Sequence, residues 1–328
     1  DHYWFVQKQG AFVVLNVLFA IFLMNFDYKA LQNYGKNLYI FNAVMLLLVM
    51  IIGQTALGAQ RWIQLGPITL QPSEFSKIIM IIALAAMLED RVGKLNTVSD
   101  ILPVVGYVAL PFFLVLKQPD LGTSLVFIAI LLGMMFVAGV NLRILAAGFA
   151  AGIAASPLLW LFLKDYQKMR LKVFLDPSVD PLGSGYHIIQ SKIAIGSGLI
   201  FGKGLFGGTQ SQLNFLPENH TDFIFAVVGE ELGFVGAAAL LLLYLVVLWR
   251  GVKIARDASD TFGRLLAVGI TSMLAFHVLV NVGMTTGIMP VTGIPLPLMS
   301  YGVSSLTTNL IAITILLNIH MRKAKFVF

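Results

Sequence analysis

The side chains able to do chemistry in this chain are gathered in a few polar patches of an otherwise apolar sequence. Asn219-His220-Thr221-Asp222 passes directly into an apolar run that carries Glu230 and Glu231. An ionised carboxylate beside hydrocarbon is costly, and one that persists there is usually paired or functional. Asp222 is therefore expected to lie at or near the functional site, with His220 at its side as a cavity residue. Glu230 follows Asp222 by eight residues, nearly in register on a helix, so it is a candidate to line the same cavity, whereas Glu231 is rotated away. The plainer reading for either Glu is a structural one, satisfied by a hydroxyl or amide of a neighbouring helix.

Further patches have the same character. In Gln71-Pro72-Ser73-Glu74-Phe75-Ser76-Lys77, Pro and an acid open a helix, and the three-residue spacing of Glu74 and Lys77 puts both on one face. They form either a structural ion pair or part of a polar cavity, and the preference of intramembrane charges for the protein interior favours the cavity. Lys117-Gln118-Pro119-Asp120 is a polar hairpin or a further contributor to that cavity, and Arg61 and Trp62 stand in another such connection. Gly202-Lys203-Gly204, followed by Gly207-Gly208-Thr209-Gln210, offers backbone amides and a cation that could cradle phosphate oxygens. It does not match the nucleotide loop GxxxxGK[ST]. With no Cys in the chain, thiolate chemistry and disulfides are excluded.

The elements that must position these residues are membrane helices. The 328 residues are 58% hydrophobic and 12% charged, about half the charge of a soluble domain. Apolar runs cover about 11–26, 38–57, 75–88, 101–116, 121–140, 144–163, 223–249, 265–289 and 306–319, which predicts an all-α, polytopic membrane protein with nine spans. Lys29, Lys36, Arg91, Lys94, Arg143, the Arg250–Arg264 group and Arg322, Lys323 and Lys325 then fall on one face, the cytoplasmic one by the basic bias. The opposite face receives the connections that hold Arg61, Glu74, Lys77, Lys117, Asp120, Lys203 and Asp222. That arrangement leaves the start of the chain outside, and a further helix before Asp1, making ten, is expected. The net charge of +6 suits anionic lipid or an anionic substrate, and is also ordinary for cytoplasmic loops.

Residues 164–221 form the one long outer connection, a length that usually carries function. Within it, Tyr186 to Leu199 alternates like an interfacial helix. Pro290, Pro295 and Pro297, with Gly287, Gly293 and Gly302, predict non-helical backbone, re-entrant or plug-like, beside the same cavity. Ser300, Tyr301 and the hydroxyls after them give the last helix a polar face, many of them as glue between helices.

GAQRW (58–62), QPSEFSK (71–77), QPDLGTS (118–124), DPLGSGYHIIQSKIAIGSG (180–198), GTQSQLNFLPENHTDFIFAVVGEELG (208–233) and PLPLMSYG (295–302) together resemble the SEDS family (shape, elongation, division and sporulation), and its elongation branch more than its division branch. The resemblance runs over nearly the whole chain. It implies a single domain of ten membrane helices over residues 1–328, and peptidoglycan glycosyltransferase activity. Such proteins polymerise lipid II, the undecaprenyl-pyrophosphate-linked disaccharide pentapeptide, on the outer side of the cytoplasmic membrane. They act with a class B penicillin-binding transpeptidase and other elongation-machinery proteins, and not with nucleic acid. The family's essential aspartate falls on Asp222, its acid and lysine on Glu74 and Lys77, and the tryptophan after GAQ, one residue on, on Trp62.

Residues and resemblance meet in one mechanism. Glycosyl transfer needs a base for the attacking hydroxyl and stabilisation of the departing pyrophosphate. Asp222 supplies the base; Lys77, Lys117, Arg61 or Lys203, or a divalent cation (Mg or Mn) held by acidic groups, would meet the pyrophosphate. A flippase or transporter of the lipid-linked precursor is the alternative, and a scaffold that only recruits the transpeptidase a third. A transporter, however, calls for polar gates at both faces and for repeated halves.

Overall fold

The computed structural model describes residues 2–56, 59–66, 68–181, 183–213 and 215–323. Asp1, Leu57, Gly58, Leu182, Asn214 and Lys325, which figure in the motifs or the basic face above, lie outside the described residues. Among the described residues nine long helices appear, one on each predicted apolar run: α1 (His2–Met24), α3 (Gly35–Ile52), α4 (Pro72–Glu89), α5 (Val98–Lys117), α6 (Leu121–Val137), α7 (Leu142–Phe162), α11 (Ile224–Asp257), α12 (Thr261–Thr286) and α13 (Val303–Met321). Six of them are long and apolar enough to cross a membrane. The short helix α2 (Ala30–Asn33) joins α1 to α3. The fold is all-α and polytopic.

The chain divides into two compact units. The first comprises Asp1–Ile144, Leu248–Phe276 and Tyr301–Phe328. Its centre is α4, against which α3, α5, α6 and α13 pack, and its Met80, Ile81, Leu84 and Leu88 are wholly buried. On α1, Leu18, Ile21 and Phe22 stay more than half exposed, the expected outside of a helix whose solvent is lipid. The connection after α3, read from sequence as a loop, is a small antiparallel sheet of β1 (Gln54–Ala56), β2 (Ala59–Leu65) and β3 (Ile68–Leu70), in the order β1-β2-β3. Strands of three to seven residues are too short to show alternation against the apolar runs beside them.

The second unit comprises Leu145–Val247 and His277–Ser300. The expected long loop 164–221 is largely structured here: α8 (Asp165–Leu175), a 3-10 turn at Pro177–Val179, α9 (Ser184–Ser197) and α10 (Thr209–Gln212). The helix predicted over 186–199 is α9. It does not simply lie on a surface, because Ile188, Ser191 and Ala194 are buried and Ser191 Oγ donates to the Thr285 carbonyl at 2.7 Å. One core joins Ala194, Leu216, Phe223 and Ala226, and a second joins Phe225, Val278 and Leu296.

The run at 223–249, continuous in sequence, is broken. Gly233 takes φ 65° and ψ −164°, outside helical space, so α11 is two helical segments meeting at a kink. The break frees backbone groups within an apolar segment, where each must find a partner. The turn after α9 supplies partners for four of them. Lys203 and Gly204 donate to the carbonyls of Glu230 and Glu231, both at 3.0 Å, while Phe234 and Val235 donate to Leu199 and Ile200 at 2.9 and 3.0 Å. A Cβ on Gly233 would lie 2.3 Å from the Gly202 nitrogen and would also occupy a positive φ. Gly233→Ala is therefore expected to cost at least about 1–3 kcal/mol, read as a lower melting temperature of the detergent-purified protein. Gly196→Ala, at a position of α9 where an added Cβ meets nothing within 4 Å, should leave it near the parent.

Candidate active site

Asp222 sits in the turn immediately before α11, half-buried. Two buried side chains fix the backbone there. Asn281, on α12, donates from Nδ2 to the Asp222 carbonyl at 2.9 Å and to the Ile294 carbonyl at 2.8 Å. Ser300 donates from Oγ to the Thr221 carbonyl at 2.6 Å and accepts from the Leu296 amide at 2.7 Å. Both bridge the Asp222 turn to the stretch between α12 and α13. That stretch is non-helical, as its prolines predict, and side chains satisfy it: Tyr244 OH donates to the Pro297 carbonyl at 2.6 Å and His277 Nδ1 stands 3.3 Å from the Pro295 carbonyl. At Gly293, φ 74°, an added Cβ would be 3.2 Å from Asp222 Oδ2, so the glycine lets this strap pass directly beside the carboxylate.

Around this centre, His220 is exposed, with Nδ1 3.1 Å from Asn219 Oδ1. His187 of α9 stacks on Phe223, with ring centroids 5.8 Å apart at 12°. Its burial holds the imidazole pKa below the ordinary value, against the opposing pull of Glu218 and Asp180.

Glu230 and Lys203 belong to a different piece of chemistry from the one expected. Glu230 is wholly buried, and its carboxylate accepts from the amides of Gln210 and Ser211 at 2.9 and 3.0 Å, Ser211 Oγ at 2.9 Å, Thr209 Oγ1 at 3.3 Å and Lys203 Nζ at 2.9 Å. Its hydrogen-bonding capacity is thus taken up by the 203–211 turn. The amides expected to cradle phosphate are likewise engaged: those of Lys203 and Gly204 hold the broken helix, and those at 210 and 211 hold the protein's own carboxylate. Glu231 receives Gln212 Nε2 at 3.2 Å.

The remaining candidates lie in the first unit. Lys77 Nζ and Glu74 Oε1 are 2.8 Å apart with side chains 1% and 5% exposed, so the two form a buried ion pair at the start of α4. Asp120 caps α6: its carboxylate accepts from the Thr123 amide at 3.1 Å, Thr123 Oγ1 at 2.9 Å, Gln71 Nε2 at 3.1 Å and Ser73 Oγ at 3.3 Å. Arg61, on β2, donates to the carbonyls of Gln118 and Pro119 at 3.0 and 2.8 Å and stands 3.8 Å from Asp120. Arg61 and Asp120 thus latch the α5–α6 turn to the sheet. Trp62 is half-buried on β2, and Lys117 is exposed at the end of α5. Among the described residues no three His, Cys, Asp or Glu side chains gather to hold a metal ion.

Sequence reasoning missed Asn281, the residue that ties Asp222 to the strap. The signal was present as a lone amide in the apolar run of α12, HVLVNVGM.

A polytopic helical membrane protein with one half-buried carboxylate, held at the head of a broken helix beside a non-helical strap, is the class that the fold and site define. Residues 1–325 match the FtsW/RodA/SpoVE family of cell cycle proteins, and the chain belongs to that family. It is 42% identical over 319 residues to the peptidoglycan glycosyltransferase MrdB of Escherichia coli K12, covering 97% of this chain and 86% of that one. It is also 42% identical over 323 residues to stage V sporulation protein E of Bacillus subtilis 168, covering 97% and 87%. Among solved structures, the rod shape determining protein RodA of Thermus thermophilus superposes with a TM-score of 0.72 at 32% identity, covering 97% of this chain and 88% of that one. A chain of a peptidoglycan synthase complex that coordinates polymerization and crosslinking superposes with 0.85 at 34% identity, covering 98% and 90%.

Two outcomes follow from this geometry. Glu230→Ala leaves the buried amides at 210 and 211 without their acceptor, on the order of 3 kcal/mol of destabilisation, visible as loss of folded protein in size-exclusion chromatography. His187 contributes in a pH-dependent way. Its depressed pKa means the unfolded chain binds that proton more tightly, so its contribution is intact above about pH 6.5 and is lost as pH falls below it. His187→Gln should flatten the fall in melting temperature between about pH 7 and pH 5.

Proposed function

We propose that Asp222 is the general base of a peptidoglycan glycosyltransferase that polymerises lipid II into glycan strands for cell elongation. The activity is that of a peptidoglycan glycosyltransferase, as in the relatives of this family. The observation that carries the assignment is the fixing of Asp222: its backbone is held through Asn281 and its neighbour's through Ser300, with Gly293 at its carboxylate. A base must be held within hydrogen-bond reach of the proton it takes, and a backbone clamped at two successive carbonyls does that while the carboxylate stays half-buried.

In the reaction, Asp222 removes the proton of the acceptor's C4 hydroxyl as that oxygen attacks the anomeric carbon of the lipid-linked donor. The configuration inverts and the polyprenyl pyrophosphate departs. Glu74, Lys77 and Trp62, carried over from the family resemblance, belong to the same machinery. Asp120, Arg61, Lys203 and Glu230 we assign to holding the scaffold, on the strength of the bonds that occupy them. His220 and Lys117 are exposed and can meet the substrate's polar end. The site works on the extracytoplasmic side of the bacterial cytoplasmic membrane, and residues 164–221 form the extracytoplasmic segment of a single SEDS domain. The supporting argument is the basic bias of the opposite connections. The partner is a class B penicillin-binding transpeptidase that crosslinks the growing strand, with other elongation proteins alongside.

Purified Asp222→Ala protein, folded by melting temperature and reconstituted with its transpeptidase, should lose about 10²–10⁴-fold of its rate of polymerising labelled lipid II. Undiminished glycan formation by that variant would falsify the assignment.

A further inference from the structure

Lys203 is tied to Glu230, while Arg61, Lys77 and Lys117 belong to the first unit, so cations near Asp222 within its own unit are the ones to ask about for the departing diphosphate. In the unit that holds Asp222, the strap between α12 and α13 is crossed by two cations that the sequence reading did not single out. Arg170, on α8, donates from Nη1 to the carbonyl of Thr292 at 3.4 Å. Thr292 immediately precedes Gly293, which borders Asp222 Oδ2. Lys192, on α9, lies against the start of the same strap: a Cβ on Gly287 would be 2.1 Å from its Cε and 2.6 Å from its Nζ. A larger residue at 287 would displace that ammonium group.

We propose that Arg170, with Lys192 at the start of the same strap, binds the diphosphate of the polyprenyl-linked donor and stabilises it as the leaving group. The proposal rests on the assignment of Asp222 as base and adds the group that faces it across the reacting carbon. The step balances as follows. The acceptor oxygen forms a bond to the anomeric carbon and gives its proton to Asp222. The bond from that carbon to the diphosphate oxygen breaks, and its electron pair leaves on the diphosphate. Charge therefore develops on the face away from the base, and a cation that helps must stand apart from Asp222. Summed along the bonds from Nη1 through Thr292 and Gly293 to Oδ2, the separation has an upper bound of about 12 Å. A base, hydroxyl, anomeric carbon, bridging oxygen, phosphorus and cation in line span on the order of 10 Å.

The chemistry of the two side chains fits this role. A guanidinium presents five N–H donors in a planar fork that matches phosphate oxygens, and the bond to Thr292 sets the direction of that fork. Arg170 also stands over the Tyr166 ring at 5.9 Å, a second contact that fixes its plane. Lys192 is an exposed ammonium on a flexible four-carbon stem, suited to a mobile charge. Because both bear on the strap that borders Asp222, the base and the anion site are set by the same short length of backbone.

The test uses the full chain reconstituted with its transpeptidase in nanodiscs. Inhibition of lipid II polymerisation by added polyprenyl diphosphate is measured for the parent, Arg170→Gln, Arg170→Lys and Lys192→Gln. The proposal expects Arg170→Gln to raise the inhibition constant at least tenfold, Lys192→Gln to raise it several-fold and Arg170→Lys to recover part of the loss. Direct binding of labelled polyprenyl diphosphate to Asp222→Asn protein should persist and should fall when Arg170→Gln is added. That arm stands whether or not Asp222 proves to be the base. Phosphatidylglycerol vesicles in excess should not displace the label, and displacement would assign the cations to membrane headgroups and overturn the proposal. So would an Arg170→Gln protein of parental melting temperature whose diphosphate binding is unchanged. Should Arg170→Gln not fold, Lys192→Gln and Arg170→Lys decide alone, and parental inhibition constants in both overturn it.

Discussion

A helix interrupted among apolar residues must give every freed N–H and C=O a new partner, and the site unit is built on how that demand is met at Gly233. The kink exposes the carbonyls of Glu230 and Glu231 and the amides of Phe234 and Val235, and residues 199–204 take all four. That turn is consequently fixed in place, and the residues after it are drawn back onto the helix by the Glu230 carboxylate. Unpaired, each group would cost roughly 1–3 kcal/mol, so the turn and the kink stabilise one another. What looked like a glycine-rich ligand loop is the counterpart of the broken helix.

The two acids of the apolar run behave differently because their surroundings do. Glu230 is enclosed by two amides, two hydroxyls and an ammonium group, an arrangement that makes an anion affordable in a buried position but leaves it nothing to exchange with a substrate. Asp222, eight residues earlier, has its backbone carbonyl held by Asn281 and its side chain half-buried. A carboxylate enclosed by strong donors loses its affinity for the proton, so Glu230 is ill suited to take one. The strap contributes by the absence of a side chain at Gly293, where anything larger would press on Oδ2.

Much of this was legible in the sequence, for reasons specific to each element. Nine apolar runs became nine helices because hydrocarbon thickness fixes a length that hydropathy reads directly. Asp222 stood out because a carboxylate at the head of an apolar run is expensive, and the prolines at 290, 295 and 297 announced non-helical backbone. The kink was not legible: Gly233 sits in an apolar run where glycine is ordinary, and its positive φ is imposed by a turn some thirty residues earlier. Nor was the partner of Lys203, since an ammonium between glycines looks the same whether it awaits a phosphate or holds a carboxylate from the next helix. Pairing across sequence distance is where local reading ends, and Asn281 shows it again, joining 222 to 294 from a position that hydropathy counts only as a weak interruption.

The same contrast separates the acids of the first unit. Asp120 has both carboxylate oxygens engaged by the cap of α6 and its neighbours, as a structural anion should. Glu74 is equally buried, yet only Oε1 is tied to Lys77, and Oε2 has no hydrogen-bond partner among the described residues. A buried ion pair is weak evidence for stability, because desolvation offsets much of the attraction, and it favours the fold only when the remaining lone pairs are satisfied. By that criterion the Glu74–Lys77 pair is a poor structural device and Asp120 a good one. Glu74 Oε2 thus keeps room for a further hydrogen bond that the filled carboxylate of Asp120 lacks.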